Sequence, residues 1–303
     1  MTHLEDLRYL VAELSRERGL DDFAEAEGAE GSRRGARGVD NAGVMDFAAD
    51  ASGLGESKSG LSDEDLAALE DALFNQFRAL VNTREPKPAT ERFLAVQDRM
   101  LRTRIEYAGI TQADDLPPVP IDSRISLWRG DITTLAADAI VNAANDQLLG
   151  CWVPGHYCID NAIHTFAGIQ LRADCARIMA AQGHAEPTGL AKITPAYNLP
   201  AHYVIHTVGP IAAGHPSARD CELLAQSYNS CLDVAAERGC RSIAFCCIST
   251  GVFGFPQEAA ARIATDTVRA WLDAHDCDIH VIFNVFSAQD ERIYHDILFC
   301  TCS

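Results

Sequence analysis

The sequence predicts an α/β protein whose sheet carries helices on both faces, preceded by a small, purely helical extension. Three observations predict it. Beyond Pro120, short β-branched runs alternate with amphipathic stretches of helical period, the pattern of a sheet layered between helices. Before Pro117 the large apolar residues recur mainly at helical spacing. Between the two lies Pro117-Pro118-Val119-Pro120, which marks a boundary. The division is therefore an extension over 1–120 and an α/β domain over 121–303.

In the extension, Leu4, Leu7, Leu10, Val11 and Leu14 give a first helix over 3–20, with Gly19 as its stop. From Glu27 to Gly60 the composition falls to Gly, Ala, Ser, Asp and Arg, too poor in large apolar groups to offset its ordering entropy, and reads as a flexible insertion. Ser62 then caps a second helix with an acidic first turn and the stripe Leu66, Leu69, Leu73, Phe77 and Leu80. A third runs from Thr90 through Phe93, Val96, Met100 and Ile105 to Gly109. Stripes this regular face a core and imply a small bundle packed on the α/β domain.

In the α/β domain, strands are expected at Ile125–Trp128, Ala139–Asn142, Ala191–Thr194, Tyr203–His206, Ile243–Ile248 and Ile279–Phe286. Helices are expected at 160–181, 217–238, 256–275 and 289–300.

The net charge of −18 and the lack of a long basic run exclude a partner held by phosphate tracking, so no nucleic acid is expected. Apolar runs stop short of the ~18 residues a membrane span requires. The segment from Met1 to Asp6 shows no secretory signal. All eleven cysteines lie from Cys151 onward, several in apolar runs such as Cys246-Cys247, which fits reduced thiols in a cytoplasmic compartment.

Four segments carry chemistry. Cys151, His156 and Cys158 form C-x4-H-x-C in a loop with Pro154 and Gly155 and no fourth Cys or His at finger-like distance. Three soft ligands with one position open is the arrangement of catalytic zinc, Zn2+, and is favoured over a merely packed loop. Asp160 follows two positions later, a carboxylate able to orient or deprotonate water. Asp131 ends one strand, where it caps a helix or accepts from an exocyclic amine; Asn142 and Asn145 end another, where they form a turn or bridge sugar hydroxyls. Ser249-Thr250-Gly251-Val252-Phe253-Gly254-Phe255-Pro256 is a Gly-containing strand-to-helix loop, a tight turn or a diphosphate cradle without the Lys of a P-loop.

Taken together, Gly130-Asp131-Ile132-Thr133, Ala139 to Asn145, Asp160-Asn-Ala-Ile-His164 and Ile248 to Pro256 resemble a macrodomain, the module that binds ADP-ribose, over roughly 121–300. The resemblance implies a three-layer α/β/α fold with a mixed central sheet. Asp131 would bind the adenine amine, aided by the Ile132 backbone, and Phe286 would stack on adenine. Ser249, Thr250, Gly251, Val252 and Phe253 would hold the diphosphate. Asn145, with Asn142, would face the distal ribose, and His164 would support its helix. Where ordinary members carry a glycine run, this chain has Cys151, His156 and Cys158. It is similar in this to zinc-containing macrodomains, which share a helical extension, are linked with sirtuin-type ADP-ribosyltransferases and remove ADP-ribose from acceptor proteins, lipoyl-carrier proteins included.

The expected function is zinc-dependent removal of carboxylate-linked mono-ADP-ribose from modified proteins, with Asp160 and Asn145 as catalytic residues. A non-hydrolytic ADP-ribose reader, a deacetylase or phosphatase acting on an ADP-ribose derivative, and a structural zinc module are the alternatives. Cys300 and Cys302 read as free terminal thiols.

Overall fold

The structure is a computed structural model that describes residues 3–20 and 62–299. The insertion expected at 27–60 and the terminal Cys300 and Cys302 lie outside the described residues. The extension supplies α1 (His3–Glu17), α2 (Asp63–Asn82) and α3 (Glu91–Ala108). Ser62 and Asp65 close a reciprocal capping box at the start of α2, and the Thr90 side chain accepts from Phe93 N at the start of α3. Leu7, Leu10, Phe77, Met100 and Leu101 of these helices form a core with essentially no exposure.

After α3 the chain forms β1 (Thr111–Gln112), β2 (Pro118–Val119), β3 (Asp122–Arg129), β4 (Leu135–Ala136) and β5 (Ala139–Ala143). Next come α4 (Ile159–Ala167), α5 (Ile169–Gln182), β6 (Ala191–Pro195) and β7 (Tyr203–Thr207). It closes with α6 (Ala218–Glu237), β8 (Ser242–Phe245), α7 (Gln257–Ala274), β9 (His280–Val285) and α8 (Ala288–Phe299). Seven strands form one sheet in the order β2-β3-β9-β8-β5-β7-β6. The five inner strands are parallel, while β2 and β6 pair antiparallel at the two edges, so the sheet is mixed. All four residues of β8 and five of six in β9 are buried, as inner strands covered on both faces must be. Phe166 packs against both this core and that of the extension, joining the two.

Three expectations change. The stretch 160–181 is two helices, because Gly168 at φ 96 lies outside helical backbone and turns the chain between α4 and α5. The strand expected over Ile243–Ile248 stops at Phe245, so Cys246 and Cys247 lie beyond the ladder in the approach to the Gly-containing loop. Pro118 and Val119, inside the boundary run, pair with β3 as a sheet edge, where a proline that cannot donate is tolerated.

Phe77 is fully buried at the centre of the extension. Phe77→Ala is expected to destabilise the protein by about 3–5 kcal/mol, read as a lowered denaturation midpoint in urea; a loss below about 1 kcal/mol would mean that the extension's core is not closed as described.

Candidate active site

The inner strands run parallel, so β3, β9, β8 and β5 end side by side on one edge of the sheet. In open α/β sheets ligands sit in the crevice beyond those carboxyl ends. The candidate ligand residues fall there in the same lateral order: Asp131 and Ile132 after β3, Phe286 after β9, Ser249 to Phe253 after β8, and Asn145 after β5.

Asp131 is exposed and does cap a short 3-10 turn: its Oδ1 accepts from Thr133 N at 2.9 Å and Thr133 Oγ1 at 2.7 Å. Among the described residues Oδ2 and the Ile132 amide have no hydrogen-bond partner. A charged acceptor beside a backbone donor complements an edge that offers an amine and a ring nitrogen, as adenine does. Phe286, just beyond the end of β9, is 77% exposed and so is not a core residue. In the loop after β8, Ser249 takes a left-handed φ of 66 and its buried Oγ packs at Gly209, where an added Cβ would collide with it. Thr250 Oγ1 donates to Cys247 O at 3.0 Å. The next three amides, of Gly251, Val252 and Phe253, find no protein acceptor among the described residues. Consecutive free amides in a tight loop make an anion cradle.

Asn142, expected to face the ribose, is fully buried instead. Its Nδ2 donates to Asp160 Oδ1 at 2.8 Å and lies 3.2 Å from His206 Nδ1. A middle-strand position on a covered sheet points such a side chain into the interior, so Asn142 serves Asp160. Asn145 is half-buried, held by Gln147 N and by Gly150 O at 3.0 Å each, with its Nδ2 3.4 Å from Asp160 Oδ2. Asp160, in the first turn of α4, is 6% exposed. Burial pushes its carboxyl up to about 6, against the opposing pull of the Asn142 bond and the Arg172 charge. His164 Nε2 lies 3.6 Å from Asp160 Oδ1, and burial, with His206 and Arg172 near, holds this imidazole well below its ordinary range, so it is neutral. His206 is likewise held down to about 4 by burial.

Cys151, His156 and Cys158 bring one sulfur, one nitrogen and one sulfur within 4.8 Å of one another. Cys151 Sγ is 3.4 Å from His156 Nδ1. Burial pushes the Cys158 thiol up to about 12, with Cys151 and Asp160 adding to the rise. Two thiols and an imidazole converging in this way are a donor set suited to zinc.

Sequence reasoning missed the groups that hold this loop from behind. Arg78 and Asn82 on α2 and Asn161 and Arg172 on α4 and α5 are buried and bonded across the two domains. Their partners lie about eighty or more positions away in the chain, beyond any local pattern.

The Macro domain family matches this chain over residues 141–264. A protein-ADP-ribose hydrolase of Treponema medium is 56% identical over 223 residues, 73% of this chain and 85% of its own. A protein-ADP-ribose hydrolase of Staphylococcus aureus is 48% identical over 231 residues, 76% of this chain and 86% of its own. The chain belongs to the macrodomain family. A solved macrodomain of Trypanosoma brucei in complex with ADP-ribose superposes with a TM-score of 0.55 at 34% identity, covering 73% of this chain and 94% of the other chain.

The raised carboxyl at Asp160 has a consequence for stability. Its folded value of about 6 lies above the 3.8 of the free group, so the folded state holds the proton more tightly and stability falls as pH rises from about 4 through 6. Metal-free Asp160→Asn should therefore be more stable than metal-free wild type at pH 7.5, by up to about 3 kcal/mol, with the gap closing below pH 4. Thermal melts across that range check it; a gap independent of pH would mean that Asp160 is not desolvated.

Proposed function

We propose that this macrodomain is a protein-ADP-ribose hydrolase that uses zinc to remove carboxylate-linked mono-ADP-ribose from modified proteins. The observation that carries the reading is the order of candidate ligand groups along the sheet edge. An acceptor–donor pair suited to adenine comes first, then an exposed aromatic ring, then three free amides for a diphosphate, then Asn145 and Asp160. At ~4.8 Å per strand, β3 to β5 spans about 14 Å, a length that suits an extended adenosine diphosphate carrying a second ribose. The relatives named protein-ADP-ribose hydrolase support the reaction class. A pure reader has no use for a buried carboxylate that costs stability at neutral pH, which weighs against the non-hydrolytic alternative.

Asp160 is the general base in this reading. Deprotonated above about pH 6, it takes the proton of the attacking water and returns it to the leaving oxygen as the ester bond breaks. Asn142 keeps the carboxylate in place, and Asn145, itself fixed by Gly150 O, holds a hydroxyl of the distal ribose. Cys151, His156 and Cys158 would hold zinc, which supplies Lewis-acid polarisation of an oxygen at the ribose when bound. The nine cysteines among the described residues are free thiols, in keeping with a cytoplasmic setting. No helix among the described residues is long and apolar enough to cross a membrane. The resemblance to zinc-containing macrodomains makes a lipoyl-carrier protein, modified by a sirtuin-type ADP-ribosyltransferase, the acceptor to try first.

Single-turnover release of ADP-ribose from a mono-ADP-ribosylated acceptor tests the reading. Asp160→Asn is expected to lose ~100- to 10,000-fold in rate, and chelation to abolish most turnover, while ADP-ribose binding persists in both. A chelated enzyme at full rate would remove zinc from the reaction.

At the adenine end, Asp131→Asn keeps the cap acceptor and removes the charge. It should weaken ADP-ribose and AMP alike by about ten- to 150-fold in calorimetry. Unchanged affinity for both would confine Asp131 to its capping role.

A further inference from the structure

The last turns of α2 lie directly behind the loop that carries Cys151, His156 and Cys158. Arg78 Nη2 donates to His156 O at 2.8 Å, and its Nε donates to Asn161 Oδ1 at 2.9 Å. Asn82 Oδ1 accepts from Gly155 N at 3.2 Å and from Asn161 Nδ2 at 2.8 Å, while Asn82 Nδ2 donates to Thr165 Oγ1 at 3.0 Å. Asn161 Nδ2 also reaches Val153 O at 3.2 Å. The backbone of Val153, Gly155 and His156 is thus tied, directly or through Asn161, to two residues of the extension.

Aromatic side chains of the loop complete the grip. Tyr157 covers the Arg78 guanidinium, whose central carbon is 4.8 Å from the ring centroid. Trp152 covers Arg172 at 4.4 Å, and Arg172 Nη1 donates back to Val81 O at 3.0 Å and Arg84 O at 2.8 Å, at the end of α2.

Bulk packing does not call for these residues. Arg78 and Asn82 are 9% and 1% exposed, and an apolar pair would fill the same space without desolvating a charge and an amide. What polar groups add is direction: hydrogen bonds to named loop atoms allow one loop conformation where apolar packing allows several. We propose that the helical extension is part of the candidate metal centre, with Arg78 and Asn82 as positioning residues that hold the 151–158 loop so that its three donors converge. The link to zinc rests on the metal reading of that loop; the clamp itself does not. In metal sites, groups that orient the ligands from behind typically govern affinity by ~10- to 100-fold.

Full-length Arg78→Met, Arg78→Lys and Asn82→Ala serve as variants. Arg99→Met, which breaks the Arg99–Asp6 pair elsewhere in the extension, is the control for general destabilisation. Zinc affinity is read by competition with a chromophoric chelator, and loop order by hydrogen exchange of the 153–158 amides in metal-free protein. Arg78→Met and Asn82→Ala should weaken zinc by ~10- to 100-fold and speed loop exchange, with ADP-ribose affinity within about twofold of wild type. Arg78→Lys should fall between, and Arg99→Met should change neither readout. If Arg78→Met does not fold, Arg78→Lys and Asn82→Ala carry the test. Wild-type loop exchange and zinc affinity in the folded variants, or equal losses in Arg99→Met, would overturn the proposal. If wild-type protein binds no zinc but the variants still free the loop, the metal reading fails and the clamp stands.

Discussion

Asp160 places a carboxylate in the interior of the α/β domain, and the surrounding structure is arranged to tolerate it. Moving a carboxylate out of water is costly unless donors replace the water or a cation pairs with it. The nearest imidazole, His164, is kept neutral by its own burial. What remains is the Asn142 amide at 2.8 Å, the more distant Asn145 amide, the charge of Arg172 and the positive end of α4. None neutralises the group fully, which is why its carboxyl stays up at about 6. Such a group is poised near neutrality, where a base is most useful.

Holding it there demands that the shell not move. Asn142 is fixed through His206, whose Nε2 lies 3.0 Å from Thr194 Oγ1 on the edge strand β6. The order therefore runs from the sheet edge through two buried polar side chains to the candidate base. On the other side, Asn161, next in the chain, carries the network outward to α2. The candidate base and the candidate metal loop thus share one polar framework that crosses the two hydrophobic cores.

The architecture was legible because it rests on period. Strands at 139–143, 191–195 and 203–207 and helices at 218–237 and 257–274 follow directly from apolar spacing. Lateral order was not legible, since nothing in β8 or β9 says which strands they join; the long-range pairing decides that. At the site, Cys151, His156 and Cys158 are close in sequence and were found together. The burial of Asn142 is not legible, because residue type on a strand does not reveal which face is covered. Arg78, on an apolar helix face, looks like an interruption of the stripe until its partner at Asn161 is seen.

The candidate metal loop keeps glycine where contact or backbone conformation disfavours a side chain. Gly150 has φ 79, and a Cβ there would lie 2.8 Å from Cγ of the buried His164 ring, so the loop enters under a steric ceiling. Gly155 has φ 65 with open space around its Cα, so conformation alone restricts it, and its amide is tied to Asn82. Between and beside these two points a side chain is permitted, and three of the permitted positions carry sulfur or imidazole. The Gly155 amide is spent on α2 through Asn82. The loop's backbone is bonded to the extension, and on the proposed reading those bonds let a short segment present three donors toward one point. An extension that merely packed against the domain would leave the same three residues scattered over the conformations of a flexible loop.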